Sequence, residues 1–311
     1  AAGAAGALCA GPFAQCQTDA PGVNKDRLLI GVPKKGRLYK QVSEMLAGAG
    51  IEYVRQERLD IAHCLEMPIS IVFLPAKDIA TYVGEGEVDL GITGEDVVAE
   101  TGVDVQVLLQ LGIGKCNLSV QAPQHMNVEP QALAGKRIAT SFPNLTRQFF
   151  EKFEQPGSAT EIRCISGSVE ASVGLGLADG IVDLVETGTT MRAAGLDEVS
   201  VIMKSQAVLI ANPHTKHPEL VEVIRKRFMG YLMARSWVMI TYNVHRMNKK
   251  RAEEITPGKT SPSVMPLEDM NWVAVSSLVP RNKAASVMDE LEAVGARDIL
   301  LTSLLSTRMG S

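Results

Sequence analysis

The sequence predicts an α/β fold of two lobes around a shared cleft, followed by a smaller domain. Three observations carry this. Short apolar, β-branched runs alternate with segments of helical spacing from Arg27 onward, the pattern of strands joined by crossing helices. The run Gly86-Glu-Val-Asp-Leu-Gly-Ile-Thr-Gly94 returns as Gly180-Ile-Val-Asp-Leu-Val-Glu-Thr-Gly188, sharing Gly, Val, Asp, Leu, Thr and Gly register for register. Such a repeat implies two halves of one plan, each offering a strand end to the cleft. Beyond Trp237 the style changes to strand, helix, loop, strand, helix, strand, the β-α-β-β-α-β-like order of a ferredoxin-like domain.

A chain of 311 residues holds two or three domains with cores of their own. Its apolar fraction of 46% and mixed charges are those of an ordinary globular protein. A net charge of −4 leaves no electrostatic footprint for nucleic acid or an anionic membrane, so neither is an expected partner. An anionic substrate must then be held by a local cluster of donors. No apolar run approaches the length of a bilayer span. The five cysteines are scattered, with no CxxC pair and no metal-ligand spacing, which reads as reduced thiols used for packing.

Residues 1–26 are rich in Ala and Gly without periodicity, and read as a disordered leader. Order begins with the strand Leu28–Val32. The basic turn Pro33-Lys-Lys-Gly-Arg37 follows, and then a helix marked by Leu38, Val42, Met45 and Leu46. A glycine-containing turn at a helix start exposes free N–H groups, and Lys34, Lys35 and Arg37 add charge, so this is an anion site. Ile69–Leu74 is the next strand, Lys77–Val83 a short helix ended by Gly84 and Gly86, and the first copy of the repeat comes after it.

Leu118–Pro123 alternates as a strand and crosses into the second lobe. There Lys136–Thr140, a turn, and the helix Leu145–Phe153 repeat the opening of the first lobe. Ile162–Ile165 is a strand, and Gly167-Ser-Val-Glu170 starts a helix with Ser166 or Ser168 as its cap. Ile181–Val185 then runs as a buried strand into the hydroxyl-rich turn Glu186-Thr-Gly-Thr-Thr190. Gly188 allows close backbone approach there, the threonines add donors, and Asp183 just ahead can accept from sugar hydroxyls. Strands at Val201–Met203 and Ala207–Ile210 return the chain to the first lobe, and a long helix runs from Pro218 to about Trp237. The expected division is 27–118 with 205–236, 119–204, and 237–311. The cleft offers two anion-binding turns and no convincing nucleophile, which suits electrostatic positioning of phosphorylated substrates.

At this point the chain resembles the ATP phosphoribosyltransferases. Lys35-Gly-Arg-Leu38, Asp89-Leu-Gly-Ile-Thr-Gly94, Gly135-Lys-Arg-Ile-Ala-Thr-Ser141, Gly167-Ser-Val-Glu170 and the run Gly176–Gly188 look like successive signatures of that family. The match covers roughly 27–311, and the wording is closest to fungal members of the long form. The resemblance implies a periplasmic-binding-protein-like catalytic core, with 119–204 as the phosphoribosyl-binding lobe, and an ACT-like regulatory domain over 237–311. It implies transfer of a phosphoribosyl group from phosphoribosyl pyrophosphate to N1 of ATP with release of pyrophosphate, in the cytoplasm.

Family knowledge gives Asp183 the ribose hydroxyls, and the turn of Glu186, Thr187, Gly188, Thr189 and Thr190 the 5′-phosphate. Lys34, Lys35, Gly36, Arg37 and Arg58, with Ser168 and Glu170, would face pyrophosphate or the ATP phosphates. Asp183, Lys35 and Arg37 are the expected catalytic residues. Mg²⁺ would be held mainly through the substrate, with no protein metal pattern. L-histidine would inhibit by binding near Asn243, Ser261 and Ser263, and the assembly would be a homo-hexamer in exchange with dimers. Glu186 stands where a small residue is expected beside phosphate, so its side chain must point away or contact the ribose or Mg²⁺. The alternative is a two-lobed small-molecule binding or regulatory module without catalysis, which keeps the lobes but has no need of the Lys-Gly-Arg turn.

Overall fold

The computed structural model describes residues 26–55, 59–126 and 128–308. All but the last residue of the expected leader, and Arg58, lie outside the described residues. The chain runs β1 (Leu28–Pro33), α1 (Arg37–Gly48), β2 (Ile61–His63), β3 (Ile69–Leu74), α2 (Ala76–Gly84), β4 (Leu90–Gly94), α3 (Glu95–Thr101) and β5 (Gln106–Gln110). It continues as β6 (Cys116–Pro123), β7 (Arg137–Thr140), α4 (Pro143–Phe150), β8 (Glu161–Cys164), α5 (Ala171–Gly174), β9 (Gly180–Val185), α6 (Thr189–Ala193) and β10 (Leu196–Ser205). It closes with β11 (Ala207–Ala211), α7 (Pro218–Ser236), β12 (Trp237–His245), α8 (Lys249–Ile255), β13 (Ser263–Pro266), β14 (Trp272–Pro280), α9 (Ala284–Ala293) and β15 (Arg297–Ser303).

Two sheets share one plan. The first has the order β2-β3-β1-β4-β11-β5, with β3, β1 and β4 parallel, β2 antiparallel at one edge, and β11 and then β5 each antiparallel to its neighbour at the other. The second has the order β10-β6-β9-β7-β8, with β8, β7 and β9 parallel and β6 and β10 antiparallel beyond them. The lobes exchange strands: β6 enters the second sheet and β11 returns to the first. Asn117 already pairs with Val185, and Cys116 with Ser205, so 116–118 and Ser205 belong to the second sheet. The crossings therefore lie at 111–115 and at Gln206, slightly inside the division expected from sequence.

The repeat also takes a different register from the one that residue matching suggests. Ile30 pairs with Leu90 in the first lobe, and Ile138 with Gly180 in the second. Asp89 is thus equivalent to Asp179, and the structural repeat is Val83-Gly-Glu-Gly-Glu-Val-Asp89 with Val173-Gly-Leu-Gly-Leu-Ala-Asp179. Gly86 and Gly176 both take left-handed φ, +82° and +69°. Each aspartate then accepts a backbone N–H from the parallel strand beside it, Leu29 of β1 at 2.9 Å and Arg137 of β7 at 3.0 Å. What the fold repeats is this carboxylate clamp: Asp89 is the clamp of the first lobe, whereas the residues matched to it by sequence in the second, Asp183-Leu184 and Thr187-Gly188, lie beyond the clamp at Asp179. As a result Val185 corresponds to Glu95, where α3 starts, yet α6 starts only at Thr189. The second lobe therefore carries a longer turn into the cleft.

Val221, Ile224, Phe228 and Tyr231 of α7 join the core of the first lobe. The helix then passes directly into β12, with Trp237 as its C-cap. The third sheet, β13-β14-β12-β15, is antiparallel throughout. With α8 and α9 it completes a ferredoxin-like β-α-β-β-α-β unit. Val238, Ile240, Tyr242 and Val244 face the helices, packed with Val275 and Leu291. The other sheet face is open. Among the described residues, no helix is long and apolar enough to cross a membrane.

Candidate active site

Each lobe has two central parallel strands that run into helices: β1 and β4 in the first, β7 and β9 in the second. Helix N-termini there present free N–H groups, and the structure leaves one open in each lobe. At α1 the N-cap Gly36 has φ +90°, no side chain caps the helix, and nothing lies within 4 Å of a Cβ built there. Lys34, Lys35 and Arg37 are exposed around it. Lys34 pairs with Asp60 at 2.7 Å, while Lys35 has no ion-pair partner among the described residues. At α6 Gly188 takes φ +71°, Thr187 and Thr189 share a hydroxyl hydrogen bond of 3.0 Å, and Arg192 donates to the Thr187 carbonyl at 2.9 Å. Arg192 braces this turn from behind. Its role emerges only once the helix brings it back over Gly188.

The other two N-termini are closed by groups from the opposite side of the hinge. At α3 the Glu95 N–H donates to the Gln206 carbonyl at 3.0 Å and the Asp96 N–H to Ser205 Oγ at 3.1 Å, while the Ser205 hydroxyl donates to Asp96 Oδ1. At α4 the N–H groups of Asn144 and Leu145 donate to the Glu100 carboxylate at 2.8 and 2.9 Å. The first copy of the sequence repeat therefore ends in a hinge contact, and only the second ends in an open turn.

The two open turns meet. Arg37 Nη1 lies 2.9 Å from Glu186 Oε2, their side chains 81% and 41% exposed. This gives Glu186 a partner that sequence reasoning did not foresee: its carboxylate reaches out of the phosphate turn to the basic turn of the other lobe. Asp183 is half-buried at the end of β9, where the Leu184 N–H donates to its Oδ1 at 2.8 Å. Burial pushes its carboxyl above the usual aspartate range, and the nearby Glu170 charge adds to that. The serine cap expected at 166 or 168 is not made. α5 begins at Ala171 with Glu170 as N-cap and no side-chain capping bond, while Ser168 holds φ +46° and gives its carbonyl to the Ala171 N–H.

Below Glu186, at the hinge, a cavity of about 530 Å³ is lined by Glu95, Lys115, Cys116, Asn117, Lys204 and Ser205, among others. Lys115 and Lys204 were not singled out from the sequence. Each is an isolated cation along the chain, and only the double crossing brings them together. In the third domain Asn243 lies on the open sheet face and donates to Asp298 at 2.9 Å. Ser263 pairs across strands with Ser276, whose hydroxyl bonds that of Thr241, so both candidates share this face. Ser261 sits in the preceding loop, packed near Gly258. No group of three or more His, Cys, Asp or Glu side chains suited to a metal occurs among the described residues.

The family model described as ATP phosphoribosyltransferase matches residues 75–230, and the one described as HisG, C-terminal domain, matches 234–306. The ATP phosphoribosyltransferase of Yarrowia lipolytica is 46% identical over 288 residues, and that of Saccharomyces cerevisiae 43% over 289. Each alignment covers 91% of this chain and 97% of the relative. Among solved structures, a chain of an ATP phosphoribosyl transferase (HisG:HisZ) complex from Thermotoga maritima aligns with a TM-score of 0.56 at 27% identity. That alignment takes in 98% of the Thermotoga chain and 65% of this one.

Proposed function

The chain belongs to the ATP phosphoribosyltransferase family, and from that premise we propose how its residues carry the reaction. It is a pentosyltransferase acting in the first step of histidine biosynthesis: C1′ of phosphoribosyl pyrophosphate is joined to N1 of ATP, and the C1′–oxygen bond breaks to release pyrophosphate. The observation that supports our assignment is the pair of open, facing anion-binding turns, one on each lobe. The α6 turn takes the 5′-phosphate through its free N–H groups and the hydroxyls of Thr187, Thr189 and Thr190. Asp183 accepts from the ribose hydroxyls. Lys35 and Arg37 take the pyrophosphate and stabilise the negative charge that grows as it leaves. Lys115 and Lys204 draw the ATP phosphates toward the hinge cavity. With both substrates fixed between these clamps, the reaction needs no protein nucleophile.

Mg²⁺ fits this site as a companion of the substrate. Asp183, whose carboxyl is raised by burial and then by the nearby Glu170 charge, would face the ion together with Glu170, and the ion would supply positive charge to the leaving pyrophosphate. The regulatory part of the proposal is inhibition by L-histidine at the open face of the third sheet, through Asn243, Ser261 and Ser263, in a homo-hexamer. The match of 234–306 to the C-terminal domain model supports it. A cytosolic setting completes the reading, in keeping with the free thiols of Cys64, Cys116 and Cys164.

The test is an assay with ATP, phosphoribosyl pyrophosphate and Mg²⁺, following phosphoribosyl-ATP by its ultraviolet absorbance, with and without L-histidine. The expected result is product that histidine suppresses, and a loss of about 100-fold or more in kcat/KM for D183N, near the scale of one lost transition-state contact. Full activity in D183N would overturn the assignment of Asp183. Product insensitive to histidine would remove the regulatory claim.

A further inference from the structure

We propose that Glu100 is a positioning residue that fixes the angle between the two lobes. It stands in the last turn of α3, in the first lobe, yet its carboxylate takes the first two free N–H groups of α4, in the second. The α4 helix cannot cap itself. Its N-cap is Phe142, which offers no side-chain acceptor, and Pro143 at the first helical position has no N–H. The cap comes instead from across the cleft, as two charge-assisted hydrogen bonds at the positive end of a helix dipole. The Asn144 side-chain amide closes the arrangement by donating to the Glu100 carbonyl at 2.9 Å.

The position of this contact gives it leverage. The lobes are joined by crossings at 111–115 and Gln206, and the buried pair Asp96–Ser205 sits against the second of these. Two chain crossings at one edge make a hinge, which leaves rotation free. Glu100 lies about 6 Å further along α3 than Asp96, at four residues of helical rise, so it holds the second lobe at a point off that hinge. Arg37 and Glu186 also pair across the lobes, but both face the substrates and would exchange that contact for them. Glu100 touches neither open turn. Its clasp persists through the reaction and holds the α1 and α6 turns at the separation a bridging pair of substrates requires.

The consequence follows from population arithmetic. If the free protein loses the clasp, only a fraction of chains hold the working angle, and the apparent affinity for any ligand spanning both lobes falls by that fraction. Once bound, the substrates restore the angle. E100A should therefore raise KM for phosphoribosyl pyrophosphate and ATP by roughly five- to tenfold, with kcat at saturation within about twofold of the parent. E100Q keeps one acceptor and should recover part of the loss, whereas E100D, a methylene shorter, should not. Amide exchange measured at Asn144 and Leu145 should speed up in free E100A and return toward the parent rate when both substrates are present. A merely structural role predicts something else, a lower melting temperature with kcat falling in step and KM unmoved. That result, or exchange that stays slow in E100A, overturns the proposal. The kinetic arm rests on the transferase reading and the exchange arm does not, so inactivity of the parent protein sinks that reading while leaving the clasp to be judged by exchange.

Discussion

Asp183 shows at single-residue scale how a site conflicts with its own fold. Its carboxyl is pushed up chiefly by burial and then by Glu170. Between the ordinary aspartate pKa and the raised one, the folded chain holds more proton than the unfolded chain. Stability therefore falls as pH rises through that window, and the deficit persists at neutral pH. D183N should melt at a higher temperature than the parent at pH 7 while losing activity, and the difference should vanish below the unfolded pKa; calorimetry across pH checks this. Glu186 sets up a second conflict, because it occupies Arg37 with an internal anion. An ion pair this exposed is worth about 1 kcal/mol at most. E186Q should accordingly tighten binding of inorganic pyrophosphate by no more than about fivefold, an advantage that added salt erases. Weaker binding in a calorimetric titration would show that Glu186 serves the ligand and not its absence. The thiols are quieter. Burial pushes Cys64 and Cys116 up to about 11, so peptide mapping after alkylation near pH 8 should find Cys164, which is exposed, modified well before either.

At the scale of elements, legibility in the sequence follows burial. The strands around Leu28–Val32, Ile69–Leu74, Ile181–Val185 and Val273–Val279 are readable because their apolar runs have no alternative to the core. The ones that escape are edge strands: β2, the largely exposed β5, and β13, only four residues long and exposed at every one. The repeat was visible but misregistered, because residue identity cannot distinguish an aspartate that clamps a strand from one that faces a cleft. Arg137 and Asp179 make the difference testable. D179A leaves the Arg137 N–H without its acceptor and should destabilise the protein by about 1–3 kcal/mol, read as a shift in the denaturation midpoint. Helix packing has its own constraint at Gly48, where a Cβ would overlap the ring of Tyr231. G48A should force α1 from α7 at a cost of about 1–3 kcal/mol.

Across the whole molecule, the site is more than the sum of the motifs that announced it. The basic turn, Asp183 and the threonine turn are each local and could be named from sequence. Lys115, Lys204, Arg192 and Glu100 could not, because their roles depend on chain crossings and on helices folding back, which leave no local trace. The third domain is attached just as firmly: α7, rooted in the first lobe's core, becomes β12 without a linker, and Arg281 returns a hydrogen bond of 2.8 Å to the Arg235 carbonyl. A chain ending after Ser236 should still fold as two lobes, as a cooperative transition in circular dichroism would show, and the histidine inhibition proposed above should be lost from its activity.

The clamp at Asp179 has one more consequence. A strand gripped at its buried end behaves as a beam with one fixed support: residues added at the free end extend its overhang and disturb nothing in the sheet. Each one lengthens the reach by at most about 3.3 Å. The distance from the second lobe to the opposite bank of the cleft is in this way an adjustable length, open to change by insertion or deletion after Val185 without renegotiating the fold. Substrate size could then be retuned in this architecture by indels at that turn, long before any core residue had to change.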